Sequence, residues 1–137
     1  MKKIRKNSVP KFLYNTLGGH GALTFEPRIF RLADDWDKNY TGGTWEYFAN
    51  EHCFFICPEE NREWTANGCF ETFKADRKTF GVAITLVILN QMIWTAHEKG
   101  MSQSQERLTK LYYGLKDWAF DDDNKVIDQS ALYSIID

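Results

Sequence analysis

The chain's 137 residues suffice for one domain, and with 43% hydrophobic and 15% aromatic residues it can build a dense core. Its 17 basic and 19 acidic residues leave a net charge of −2. That balance excludes a DNA mimic, which must rival a duplex bearing one negative charge per about 1.7 Å. It also argues against direct binding to DNA, where affinity comes mainly from cationic side chains displacing counterions.

The chain opens with Lys2, Lys3, Arg5, Lys6 and Lys11, a basic stretch that runs to the breaker Gly18-Gly19-His20-Gly21. Asn7, Ser8 and Pro10 interrupt it where an export signal would turn apolar. Without such a signal, the odd set Cys53, Cys57 and Cys69 reads as reduced thiols in the cytoplasm. A short helix or turn is expected over Pro10–Leu17, with the glycines as a hinge between a basic N-terminal arm, 1–22, and a globular body, 23–137. In the body, Phe25, Ile29, Leu32, Ala33 and Trp36 fall on one helical face. Thr24 can cap that helix, Pro27 suits its first turn, and Asp34, Asp35, Asp37 and Lys38 take the solvent side. It should stop before Thr41-Gly42-Gly43.

The period then changes to two. Thr44–Ala49 and His52–Cys57 read as strands joined by Asn50-Glu51, with Pro58 closing the second. Asn61–Thr65 and Cys69–Lys74 flank Asn67-Gly68, a hairpin signal. The two hairpins predict an antiparallel sheet of about four strands. Trp45 and Tyr47 oppose Phe48, so its central strands should be covered on both faces.

From Asp76 onward the pattern is helical. Asp76 can cap a long apolar helix that reaches about His97 and ends at Lys99-Gly100. Its charge-free stretch Thr79–Ala96 is at the lower limit for a membrane span, but Thr85, Asn90, Gln91 and Thr95 favour a buried core helix, so no membrane is expected. Ser102 and Gln105 have capping-box spacing before the stripe Leu108, Leu111, Tyr112, Leu115 and Trp118. Asp121-Asp122-Asp123-Asn124 breaks the chain, and Asp128 caps a last helix carrying Ala131, Leu132, Ile135 and Ile136. The expectation is a single α+β domain with about four helices packed on the sheet.

Chemistry finds little purchase. In a strand, Cys53 and Cys57 would share a face about 13 Å apart, at roughly 3.3 Å per residue, too far for one zinc ion. His52 would point the opposite way, so the cysteines read as buried structural thiols. No nucleophile elbow or orienting acid accompanies His20, His52 or His97. Leu17-Gly18-Gly19-His20-Gly21 is glycine-rich before a helix, yet it lacks the lysine and serine of a Walker loop and follows no strand. No catalytic residue, metal or cofactor is expected.

One stretch is more telling. Tyr40-Thr41-Gly42-Gly43-Thr44-Trp45-Glu46-Tyr47-Phe48, followed by a strand closing in Phe55-Ile56-Cys57-Pro58, resembles the signature of the ArdB/KlcA-type antirestriction family. Tyr40, Gly42, Gly43, Trp45 and Pro58 carry the resemblance, and the order of elements extends it over most of the chain. The family usually has an Asn-Gly-Gly turn between the two strands, where this chain has the shorter Asn50-Glu51-His52-Cys53.

The resemblance implies an α+β protein of a mobile genetic element, a plasmid, prophage or island, that relieves host type I restriction-modification without catalysis. Its partner would be the restriction-modification enzyme or that enzyme's complex with DNA, met directly or indirectly. Asn50, Glu51, Asp122 and Asp137, on turns and at a terminus, are the candidate contact residues. The alternative is a small DNA-binding regulator of the mobile element that uses the basic arm.

Overall fold

Aromatic-rich runs become strands and the longer apolar stripes become helices in the computed structural model, which describes residues 1–68 and 70–137. In chain order these are β1 (Lys2–Lys3), a 3₁₀ turn (Lys6–Ser8), α1 (Val9–Trp36), β2 (Trp45–Ala49), β3 (Phe54–Pro58), β4 (Trp64–Asn67), β5 (Thr72–Ala75), α2 (Arg77–Glu98), α3 (Ser102–Ala119) and α4 (Gln129–Ile136). The class is α+β, with both expected hairpins and the four expected helices.

The hairpins do not join into one sheet. β2 pairs with β3 from Trp45↔Pro58 to Ala49↔Phe54, and β1 adds to the other side of β2 through Lys2↔Ala49. β4 and β5 form a separate two-stranded sheet. The physical reason is that a helix already occupies the outer edge of β3. There the N–H of Ile56 donates to Thr85 Oγ1 of α2 at 3.2 Å, and that hydroxyl donates to the Gly81 carbonyl at 2.7 Å. A Cβ on Gly81 would stand 2.4 Å from both Cys57 Cβ and the Ile56 carbonyl, so only glycine lets α2 approach this closely. Pro58, which has no N–H to offer, ends the strand.

Both hairpin turns are longer than expected. The first spans Asn50–Cys53, because Asn50 Oδ1 accepts from the N–H groups of His52 (2.8 Å) and Cys53 (2.9 Å) and so replaces a tight two-residue turn. In the second, the Gly68 N–H donates to the Glu71 carbonyl at 2.9 Å and the strand begins at Thr72; the expected start, Cys69, lies outside the described residues.

The expected glycine hinge is a break at Gly18, and α1 is two helices joined across that kink. Gly18 (φ 77°, ψ 174°) alone leaves helical geometry inside α1, and Leu13 and Leu17 before it are buried like Phe25, Ile29, Ala33 and Trp36 after it. Thr24 is no cap; its hydroxyl donates to the His20 carbonyl at 3.0 Å, and Pro27 lies in the helix interior. The N-terminal residues pack onto the rest, with Met1, Ile4, Val9 and Phe12 against the core. Lys3 pairs with Glu46 (3.3 Å) and Lys6 with Glu59 (3.1 Å).

α2 is the central element. It has the length and composition of a membrane span, but its residues from Thr79 through Leu86 are all buried in the protein. Asp76 caps it by accepting from the N–H groups of Lys78 and Thr79, and Gly100 (φ 68°) follows its end. α3 starts without the expected capping box: Met101 is its N-cap, with the Gln105 N–H donating to the Met101 carbonyl at 2.9 Å. Leu108 and Leu115 are buried along it, and Trp118 stacks on Phe55 with ring centroids 5.5 Å apart. Asp128 caps α4 by accepting from the Ala131 N–H at 3.1 Å.

Candidate functional site

The corner between α1 and β2 turns on Gly42 (φ 93°) and Gly43 (φ 108°), angles at which a side chain would be strained. The turn delivers Trp45 to the core, where its Nε1 donates to the Tyr40 hydroxyl at 3.3 Å. Trp45 and Trp64 both pack on Phe80 of α2, with centroid distances of 6.4 and 5.1 Å, and Tyr40 lies against both indoles. Thr44 Oγ1 donates to Glu59, which also receives Lys6. Opposite Trp45 in the register, the buried Pro58 offers its carbonyl to Arg77 at 3.2 Å. Tyr40, Trp45 and Pro58 therefore pack at this corner, and the two exposed glycines turn the chain into it.

Sequence periodicity misplaces Asp37. Expected on the solvent side, it is 1% exposed. The helix ends one residue earlier, so the helical period no longer applies. Its carboxylate accepts from both Arg62 nitrogens (3.0 and 3.2 Å) and from the N–H groups of Thr65 (2.8 Å) and Asn39 (2.9 Å). Burial pushes its pKa up, but the Arg62 guanidinium and the two N–H groups outweigh that and hold it below the ordinary carboxylate range. Arg62 in turn lies 3.5 Å from the Trp64 ring centroid, so this pair fastens the β4–β5 hairpin to the end of α1. An anion at a helix C-terminus opposes the helix dipole, which makes the guanidinium necessary. No local signal marks the pair, because Arg62 is flanked by Glu60 and Glu63 in the sequence and its main partner lies 25 positions earlier.

The four candidate contact residues are all exposed and lie on three segments, Asn50 and Glu51 sharing the β2–β3 turn. Asn50 spends its side-chain oxygen on the turn, and Glu51 faces His52 at 3.9 Å. The carbonyl of His52 lies 2.8 Å from where a Gly114 Cβ would stand, so this turn rests on α3. Asp122 lies between Asp121 and Asn124, which close a turn through the Asn124 N–H and the Asp121 carbonyl (2.9 Å). Asp137 follows α4, its N–H bonded to the Tyr133 carbonyl at 3.0 Å. No hydrogen bond or ion pair brings these four together among the described residues.

Burial pushes the Cys53 thiol up to about 11 and the Cys57 thiol up to about 12, the opposite of what a nucleophile needs. Burial, followed by the hydrogen bond its hydroxyl donates to Glu26 (2.7 Å), likewise raises Tyr47 far above a free phenol. Among the described residues no three His, Cys, Asp or Glu side chains gather around a common metal position.

Comparison with known proteins places this arrangement. No curated protein matches the chain. Among solved structures it is similar to one from work on the KlcA and ArdB proteins, at a TM-score of 0.78 and 21% identity, covering 98% of this chain and 92% of the other. Those proteins are described as having a novel fold and antirestriction activity against type I DNA restriction systems in vivo but not in vitro. Residues 38–137, from just before Tyr40 to the C-terminal Asp137, match the model of the antirestriction protein family. The chain belongs to the antirestriction protein family.

Proposed function

We propose that this chain relieves type I restriction-modification in a cell that has received a mobile genetic element, by contact with another macromolecule and without breaking bonds. The observation that carries the reading is the family match over residues 38–137, supported by a fold shared along 98% of the chain with proteins described as active against type I systems in vivo. The charge balance of −2 supports contact with a protein surface, or with an enzyme–DNA complex, over imitation of DNA. Lys3 and Lys6 are already matched by Glu46 and Glu59, which weakens the alternative of a DNA-binding regulator. Cytoplasmic residence follows from the target, which acts on incoming DNA.

Within this reading, Glu51, Asp122 and Asp137 make the contacts and Asn50 shapes the turn that presents Glu51. The test is the plating efficiency of unmodified phage on a strain with type I restriction, with and without the expressed chain. Higher plating is expected, and lower relief from folded Glu51→Lys, Asp122→Lys or Asp137→Lys chains. Equal plating with folded protein present would refute the function. Full relief by all three variants would refute the contacts. Tight DNA binding at low salt that disappears when Lys2, Lys3, Arg5 and Lys6 become alanine would favour the regulator.

A further inference from the structure

The glycine cluster, which lacks the residues of a nucleotide-binding loop, forms one wall of a cleft of about 240 Å³. Its floor is apolar, made by the buried Leu17, Met92 and Leu108. Three cations line it from three elements: Arg28 of α1, Lys99 just past α2, and Arg107 of α3. No Asp or Glu lines the cleft, and none of the three cations forms an ion pair among the described residues. By contrast, Lys3, Lys6, Arg62 and Arg77 each face a carboxylate. Arg107 is also placed: its Nη1 lies 3.2 Å from where a Cβ on Gly18 would stand, so the kinked, side-chain-free Gly18 leaves the space that the guanidinium occupies. Holding three like charges around one cavity is unfavourable until an anion enters it.

We infer that this cleft binds a phosphate group, free or as a phosphomonoester. A carboxylate would neutralise one of the three cations. A phosphate monoester carries roughly −1.5 to −2 and three acceptor oxygens, and guanidinium forks match its geometry. The volume falls short of the roughly 300–1,000 Å³ that encloses an organic ligand, so the cleft takes the phosphate and leaves any attached group outside. A single such seat supplies little affinity for duplex DNA, in keeping with the balanced net charge. The inference is independent of restriction relief.

The experiment is a titration of the full chain, followed through the backbone amide resonances of Gly18, Gly19 and Gly21. The probes are inorganic phosphate, a nucleoside monophosphate, and one oligonucleotide with and without a 5′-phosphate, against sodium chloride at equal ionic strength. Saturable shifts at these amides are expected with phosphate and not with chloride. Arg107→Ala or Lys99→Ala should weaken binding by about tenfold, the effect of one charge-assisted hydrogen bond. Both residues are exposed, and unchanged resonances elsewhere would establish that the variants fold. Binding of the oligonucleotide only when phosphorylated assigns the site to DNA ends, whereas binding of the small probes alone assigns it to a free metabolite; either supports the site. Absence of saturation by every probe, equal shifts with chloride, or undiminished binding in both folded variants would overturn it.

Discussion

Replacing Asp37 by alanine tests how the hairpin β4–β5 is held. The carboxylate is 1% exposed and accepts four hydrogen bonds, two from Arg62 and one each from the Thr65 and Asn39 N–H groups. Breaking a buried pair from one side costs about 3–5 kcal/mol, because the partner and its donors are left without an acceptor. Arg62 keeps 23% of its side chain in water and can rehydrate, which puts Asp37→Ala at the low end, about 3 kcal/mol. Out of a total stability of about 5–15 kcal/mol this is a large share, equivalent to about 10 °C in melting temperature. Asp37→Asn keeps one oxygen, which can serve the Asn39 or the Thr65 N–H but not both, and turns an NH2 toward the remaining donors, so it should cost about as much. A double-mutant cycle with Arg62→Met should return a coupling of about 2 kcal/mol. Since the folded pKa lies below the unfolded one, the stabilisation is complete above about pH 4 and is lost as pH falls through the folded value. Urea unfolding from pH 7 to pH 2 should therefore show the wild-type advantage over Asp37→Asn shrinking only at the acid end. A loss under about 1 kcal/mol for Asp37→Ala at pH 7, or a wild-type advantage that is flat with pH, would refute the assignment.

Other substitutions probe the packing of α2 and the thiols. Gly81→Ala gains about 1 kcal/mol of helix propensity, yet its methyl would sit 2.4 Å from β3 backbone; a net loss of about 2 kcal/mol or more is expected in denaturant unfolding. Thr85→Val strands the Ile56 N–H at a fully buried position and should cost about 1–2 kcal/mol by the same assay. With thiols at about 11 and 12, Cys53 and Cys57 should resist alkylation at pH 8 until the chain unfolds, read site by site by mass spectrometry; rapid labelling of either in the native protein would contradict their burial.

What could be read in the chain was local. Asp76 and Asp128 cap the helices that follow them because a cap needs only its next three residues. Gly42 and Gly43 likewise mark a corner that no other residue type turns easily. What escaped depends on distant partners. Two lysines have no strand signature, and Lys2–Lys3 is a strand only because Phe48 and Ala49 offer an edge. The break at Gly18 was legible, but not the burial of Leu13 and Leu17, which packs the short helix before it into the core. Asp37 is defined by Arg62, 25 positions further on. The signature residues were legible as a pattern, but only the fold reveals that Trp45 and Tyr40 share a hydrogen bond over Phe80. The contact residues have no mutual geometry that could have singled them out.

The register of β1 also constrains the order in which this polypeptide can acquire its shape. Lys2 and Lys3 have nothing to pair with until Phe48 and Ala49 exist, and β2 is itself held by β3, whose outer edge waits for Thr85. This basic stretch thus joins the sheet only once β2, well downstream, is in place. Slowing translation should not help the amino-terminal end settle early, since its docking surface is encoded far downstream.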